Sequence, residues 1–303
     1  RVSQEVRVRF SLRPPKFMEI DKLNNLLELF YSKYKEKKNT DIFLKFIKTK
    51  KEYSWEEVYT NIIKLSEDLS EIINIGDRCL IISENRPEWM ITDLSIMLAK
   101  GISVPAYTTY TERDYEYIID DCTPSVIFVS DHLQYDKIKN IVKSRNYIKK
   151  IISFEDLNKE NSSIIQNIKN IFSKKNLDKN KFLKVNIKRK DISCIIYTSG
   201  TQGNPKGVML SHGGILNNCD GACELLKTII TDKPVFLTWL PLSHSYEHTV
   251  QFVQIAVKAK IVYAESIEKL IKNMNECNPE IMTAVPRFYQ NLYQKINASF
   301  NKA

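Results

Sequence analysis

Glycine is scarce in this chain, with 8 residues in 303. The backbone therefore has few sites for left-handed turns or close approach to a ligand, and a cluster of glycines carries information. Metal-site spacing is missing as well. The six cysteines, Cys79, Cys122, Cys194, Cys219, Cys223 and Cys277, form no CxxC pair. No histidine joins Cys219 and Cys223 to complete a four-ligand zinc site, so buried free thiols in a reducing compartment are expected. No apolar run approaches the roughly 20 residues of a membrane-spanning helix. The opening RVSQEVRVRFSLRPP lacks the apolar centre of a signal peptide. These absences place the expected location inside the cell, in the cytoplasm or at the periphery of an internal membrane. No basic patch interleaved with aromatics occurs either. The net charge of +9, from 45 basic and 36 acidic residues, is accordingly not read as nucleic-acid binding. It remains compatible with an anionic ligand or membrane surface.

What is present is ordinary globular composition, 43% hydrophobic and 27% charged. The length suffices for one large domain or two modest ones. From Lys22 onward, short apolar runs such as RCLIIS, SVIFVS, DISCIIYT and VFLTWL alternate with amphipathic helical patterns. The helix over 21–35 places Leu23, Leu26, Leu27, Phe30 and Tyr34 on one face. Ser54 with Glu57, and Thr111 with Asp114, have capping-box spacing. Asn85 with Pro87 and, later, Pro286 punctuate helix starts. Continuous apolar strands each followed by a helix predict an α/β fold with mostly parallel sheets covered by helices. Residues 1–157 form a first αβ block and 191–303 a second, within one domain. Between them 158–190, rich in lysine and asparagine, reads as an inserted surface loop or short polar helix, or alternatively a basic docking arm.

The glycine cluster lies at Tyr197 to His212, YTSGTQGNPKGVMLSH, where three of the eight glycines fall. Glycines let backbone N–H groups converge on a concavity, and the hydroxyls of Thr198, Ser199 and Thr201 add donors suited to phosphate oxygens. Lys206 supplies a mobile charge, and Pro205 stiffens the chain before it. Following a buried strand, the loop sits at the carboxyl edge of a sheet, where α/β folds bind ligands. Neither G-x-x-x-x-G-K-[ST] nor G-x-G-x-x-G matches. A merely polar hairpin turn is the bland alternative.

YTSGTQGNPKGV resembles the phosphate-loop signature of the adenylate-forming superfamily, which includes acyl-CoA synthetases, peptide-synthetase adenylation domains and luciferases. Gln202 stands where a second threonine is usual, exchanging a hydroxyl donor for an amide. ENRPEW, GISVPAYTTYT, LPLSHSYEH and AVPRFYQNLYQKI are similar to the long-chain fatty acyl-CoA synthetase branch. The resemblance runs from about Leu23 to Ile296 and implies the large N-terminal domain of that fold, in incomplete form. The later family motifs, namely an aromatic-Gly-x-Thr-Glu segment, a ribose-binding aspartate and a small mobile domain with a catalytic lysine, have no counterpart. The expectation is a fragment that would not complete the reaction alone.

By resemblance, a fatty acid carboxylate attacks the α-phosphate of ATP, giving acyl-adenylate and pyrophosphate; the thiol of coenzyme A then displaces AMP. Thr198, Ser199, Gly200, Thr201, Gln202, Gly203, Pro205 and Lys206 would hold the phosphates, with Mg²⁺ arriving on ATP rather than in a protein cage. Lys206 and His244 are the catalytic candidates, and His244 and Glu247 would lie at the acyl-adenylate pocket. Alternatively His244 packs in its loop, and Glu247 either binds a cation or serves as an acidic first-turn residue. His212 is expected to pack and Arg287 to be structural. Trp89, Tyr107, Tyr110, Tyr115 and Tyr117 are expected in core and interface. A lipidic substrate is compatible with peripheral membrane association. Two other functions share these residues: transfer of the acyl group to a carrier protein or amine, and nucleotide binding without turnover.

Overall fold

The computed structural model describes residues 19–38, 40–157, 162–175, 177–198 and 205–300. Within them the strands are β1 (Ile42–Phe46), β2 (Lys51–Ser54), β3 (Arg78–Ile82), β4 (Ile102–Ala106), β5 (Val126–Val129) and β6 (Lys150–Ser153). They continue with β7 (Ile165–Asn167), β8 (Ile192–Thr198), β9 (Lys206–Ser211), β10 (Val235–Thr238), β11 (Lys260–Tyr263) and β12 (Ile281–Met282). The described strands make a five-stranded sheet, β12-β10-β11-β1-β2, and a seven-stranded sheet, β7-β6-β5-β3-β4-β8-β9. Neighbours are parallel except β1 with β2 and β8 with β9. The mostly parallel α/β class follows from the apolar runs as expected. β9 is the extended piece anticipated after the glycine loop. β2 has no counterpart in the pattern, because KEYS offers a single apolar residue, Tyr53.

Strand alternation divides the interior. Along β3, Cys79 and Ile81 join the core between the sheets, whereas Leu80 and Ile82 join the core on the opposite face. Along β5, Val126 and Phe128 separate from Ile127 and Val129 in the same way. Successive side chains point to opposite faces, so a strand apolar at every position must be covered on both. The helix Pro87–Leu98 fills the space between the sheets, touching both β1 and β4. All 12 of its residues are buried. A helix in that position is apolar nearly all round, and its polar residues need internal partners. Glu88 finds Tyr53 and Arg86, Asp93 finds Ser103 and His248, and Ser95 bonds back to the Ile91 carbonyl.

Both capping boxes form. The Ser54 hydroxyl accepts from Glu57 N at 3.2 Å while Glu57 accepts from Ser54 N at 2.7 Å. Thr111 and Asp114 exchange the same bonds at 3.3 and 2.9 Å. Asn85 does not cap: Arg86 is the N-cap without a side-chain bond, and Pro87 opens the helix.

The segment 162–190 is more integrated than its composition implies. Ile165–Asn167 extends the larger sheet as edge strand β7, and the helix Ile168–Phe172 buries Ile168 and Ile171. Phe182 stacks on Tyr31 and Tyr59, with ring centroids 5.6 and 5.3 Å away. The Tyr59 hydroxyl donates to the Lys179 carbonyl at 2.5 Å. A few apolar residues spaced among lysines dock this stretch; its average polarity conceals them.

Candidate functional site

The carboxyl ends of strands from both sheets open on one crevice of about 390 Å³. The larger sheet contributes Ser83 to Arg86 after β3, Tyr107 to Thr109 after β4, Asp131 after β5 and Glu155 after β6. The smaller sheet contributes Phe46 at the end of β1 and Lys48 after it, Trp239, Pro241 and Ser243 after β10, and Ala264 to Glu268 after β11. Parallel strands deliver their following loops to one edge, where open α/β sheets place ligand sites. Asn85 ties the two sides together. Its amide nitrogen donates to the Leu240 carbonyl at 2.6 Å, and its oxygen accepts from Leu242 N at 3.0 Å. Next to it, Arg86 donates to Glu88 at 3.0 Å and to Glu155 at 2.9 Å, with Phe46 and Phe154 flanking the guanidinium. Burial opposes ionisation of Glu88, but the Arg86 guanidinium outweighs it and holds the carboxyl below its usual range.

The glycine loop connects β8 to antiparallel β9, and its ends, Thr198 and Lys206, are register partners. Both are exposed, and Pro205 is half-buried. Ser199, Gly200, Thr201, Gln202 and Gly203 lie outside the described residues. Carried up the parallel strands, the pair Ser103 and Cys194 puts Thr198 level with Tyr107, a residue of the crevice wall. The base of the hairpin is fixed. Tyr197 is buried and donates its hydroxyl to Asp121. A side chain at Gly207 would meet Ile195 Cγ2 at 2.8 Å, so the tight packing of these two strands requires glycine there.

His244 is the exposed N-cap of the helix Ser245–Ala256, its Nδ1 accepting from Tyr246 N at 3.2 Å. That bond leaves Nε2 as the protonated nitrogen of the neutral ring. Its neighbour Ser243 lines the crevice. Glu247 is fully buried rather than on the crevice wall. It accepts from the Thr283 hydroxyl at 2.7 Å, and its second oxygen has no partner among the described residues. Burial pushes its carboxyl up to about 7, against the opposing Thr283 hydroxyl. One residue on, His248 lies 2.9 Å from Asp93, both fully buried. Ser103 and Gln251 also donate to Asp93, at 2.5 and 3.3 Å. Burial alone would lower His248; the Asp93 carboxylate outweighs it and holds the imidazole above its usual value. This network joins the helix that His244 caps to β4, the neighbour of the loop-bearing strand β8.

His212 packs as expected: its Nδ1 accepts from Leu26 N at 3.4 Å, and burial pushes its pKa down to about 4. Trp89 and Tyr115 are core, whereas Tyr107 faces the crevice. Arg287 is exposed. Residue patterns did not single out Asn85 as a bridge, the Asp93–His248 pair, or Trp239, whose indole N–H donates to the Thr283 carbonyl at 2.6 Å. The motifs ENRPEW and LPLSHSYEH contain Asn85 and His248, whereas Asp93 and Trp239 lie in neither.

The sequence model of AMP-binding enzymes matches residues 32–303. The chain belongs to this family. It is 32% identical over 255 residues to long chain acyl-CoA synthetase 3 of Arabidopsis thaliana, a match covering 80% of this chain and 38% of that protein. It is 30% identical over 226 residues to long-chain-fatty-acid–CoA ligase 5 of Rattus norvegicus, covering 71% and 33%. The chain thus spans under two-fifths of the length of these relatives. Its fold matches ATP-bound MatB from Rhodopseudomonas palustris at a TM-score of 0.72 and 20% identity, over 90% of this chain and 51% of that one. The N-terminal domain of FACL13 from Mycobacterium tuberculosis matches at 0.76 and 16%, over 90% and 65%. Among the described residues no group of three or more His, Cys, Asp or Glu is placed to hold a metal ion.

Proposed function

We propose that the full-length polypeptide is an AMP-forming long-chain fatty acid–CoA ligase, and that this chain carries the phosphate and acyl side of its site. The fatty acid carboxylate oxygen attacks the α-phosphorus of ATP, and the bond to the bridging oxygen of pyrophosphate breaks. The coenzyme A thiolate then attacks the acyl carbon, and AMP leaves. The observation that carries the reading is the position of the hairpin. Thr198 and Lys206 pair at its mouth, on the same strand-end edge as a crevice large enough for a small-molecule ligand. The relatives supply the acyl class.

Residues 198–206 neutralise charge on the leaving pyrophosphate, with Lys206 as the point charge. His244, one residue from the crevice wall, offers Nε2–H to the negative charge that develops on the reacting oxygens. Mg²⁺ comes with the ATP phosphates, which satisfy its preference for oxygen ligands without a protein cage. Asn85 keeps the two sheets at a fixed separation, so that acyl and phosphate sides stay aligned.

The test is fatty-acid-dependent ATP–pyrophosphate exchange by the full-length enzyme, followed by acyl-CoA release. Lys206→Ala should lose about a hundredfold or more of kcat/KM. Exchange without acyl-CoA release would replace the proposal with transfer to a carrier protein or amine. Nucleotide binding with no exchange for any fatty acid would replace it with a non-catalytic role.

A further inference from the structure

The two walls of the crevice differ in chemistry. Apart from Tyr107, its apolar side chains come from strand ends of the smaller sheet: Phe46, Trp239, Pro241, Ala264 and Ile267, set beside Lys48, Glu265 and Glu268 on the same side. The larger sheet faces them with hydroxyls, amides and charged groups. A ligand spanning the crevice would lay an apolar portion on one side and a polar portion on the other. Trp239 is the largest group on the apolar wall. The other tryptophans, Trp55 and Trp89, are buried in the core.

Trp239 is also held. Its indole N–H donates to the Thr283 carbonyl at 2.6 Å, and its ring centroid lies 5.1 Å from that of Phe288. Thr283 is fixed in turn by its hydroxyl, which donates to buried Glu247 at 2.7 Å. Swinging the indole aside would break its bond to Thr283, and moving Thr283 would strip Glu247 of its one partner among the described residues. A rigid aromatic surface of this size on the crevice lining limits how much chain the crevice can receive.

We infer that Trp239 is the residue that sets acyl chain length in this crevice, and that Glu247 is a positioning residue acting on it through Thr283. The inference rests on the acyl-ligase reading above. Truncating the indole extends the apolar wall, and each further methylene buried is worth about 0.8 kcal/mol, or about fourfold in kcat/KM. Breaking the anchor instead lets the indole move and blurs the length cut-off.

The experiment measures kcat/KM by ATP–pyrophosphate exchange for saturated acids of increasing length, using the full-length enzyme. In the wild type, kcat/KM should rise with length and then fall at a cut-off. Trp239→Ala should carry the rise through about two or more further methylenes, at about fourfold each. Trp239→Phe, which keeps an aromatic ring but loses the N–H bond, and Glu247→Leu should both flatten the cut-off. Glu247→Gln retains an acceptor for the Thr283 hydroxyl and should restore it. A general loss of folding would lower all acids together, so the ratio of long to short acids is the readout. If the length profile is the same in the wild type, Trp239→Ala and Trp239→Phe, the inference is overturned while the ligase reading stands. If no acid supports exchange in the wild type, both are overturned.

Discussion

Replacing His248 tests whether the space between the sheets is held by charge or only by packing. The imidazole and Asp93 are both fully buried and 2.9 Å apart, and Asp93 accepts further bonds from Ser103 and Gln251. His248→Gln leaves the Asp93 carboxylate buried with its cationic partner gone. Losing one member of a buried pair costs about 3–5 kcal/mol, mostly for the charge left behind. The pH dependence has a definite sign. Asp93 raises the folded pKa of His248 above the unfolded value, which is about 6.5. The stabilisation is therefore complete below about pH 6 and drains as the pH rises toward the folded value. Urea denaturation of wild type and variant should give a gap of about 3–5 kcal/mol near pH 6, narrowing steadily at alkaline pH. The double variant Asp93→Asn with His248→Gln should recover part of the loss, because the orphaned charge is removed. A gap under about 1 kcal/mol, or one that does not change with pH, would refute the charged-pair account and leave a neutral hydrogen bond.

Glu247 carries the opposite kind of cost. Burial lifts its carboxyl to about 7 in the folded state, above an unfolded value near 4.3, so folding loses stability as the pH rises between the two. Glu247→Gln should then gain on the wild type by up to about 3 kcal/mol between pH 5 and pH 8, read from urea midpoints. At Gly207, alanine would place its Cβ 2.8 Å from Ile195 Cγ2. Overpacking of this kind costs about 1–3 kcal/mol, and it should appear as faster amide exchange in β8 and β9 with weaker ATP binding. Asn85→Ala removes two bonds across the crevice mouth, at 2.6 and 3.0 Å. About 1 kcal/mol of stability for each is expected by denaturation, and ligand affinity should fall more than stability does.

The capping boxes at Ser54 and Thr111, the apolar strand runs and the glycine loop are local patterns, each complete within a short window. The capping boxes were legible because their partners are three residues apart, and α/β architecture follows from the order of the apolar runs. The crevice is different. Its walls are strand ends drawn from Phe46 to Glu268, and no window of sequence holds both. The Asp93–His248 pair spans 155 residues, and the Asn85 clamp on Leu240 also spans 155. The apolar run WMITDLSIML around Asp93 marks its helix as buried, but nothing in that run says which distant residue pairs with the carboxylate. ENRPEW shows the limit most clearly. Read locally, Asn85 before Pro87 is a helix start, and that account predicts a cap the structure does not form. In three dimensions this turn is the junction of the two sheets: Asn85 binds the strand end opposite, and Arg86 binds Glu88 behind it and Glu155 beside it. A residue pattern used this way is constrained by both sheets at once. The motif is therefore recognisable as a resemblance before its chemistry can be derived from its own letters.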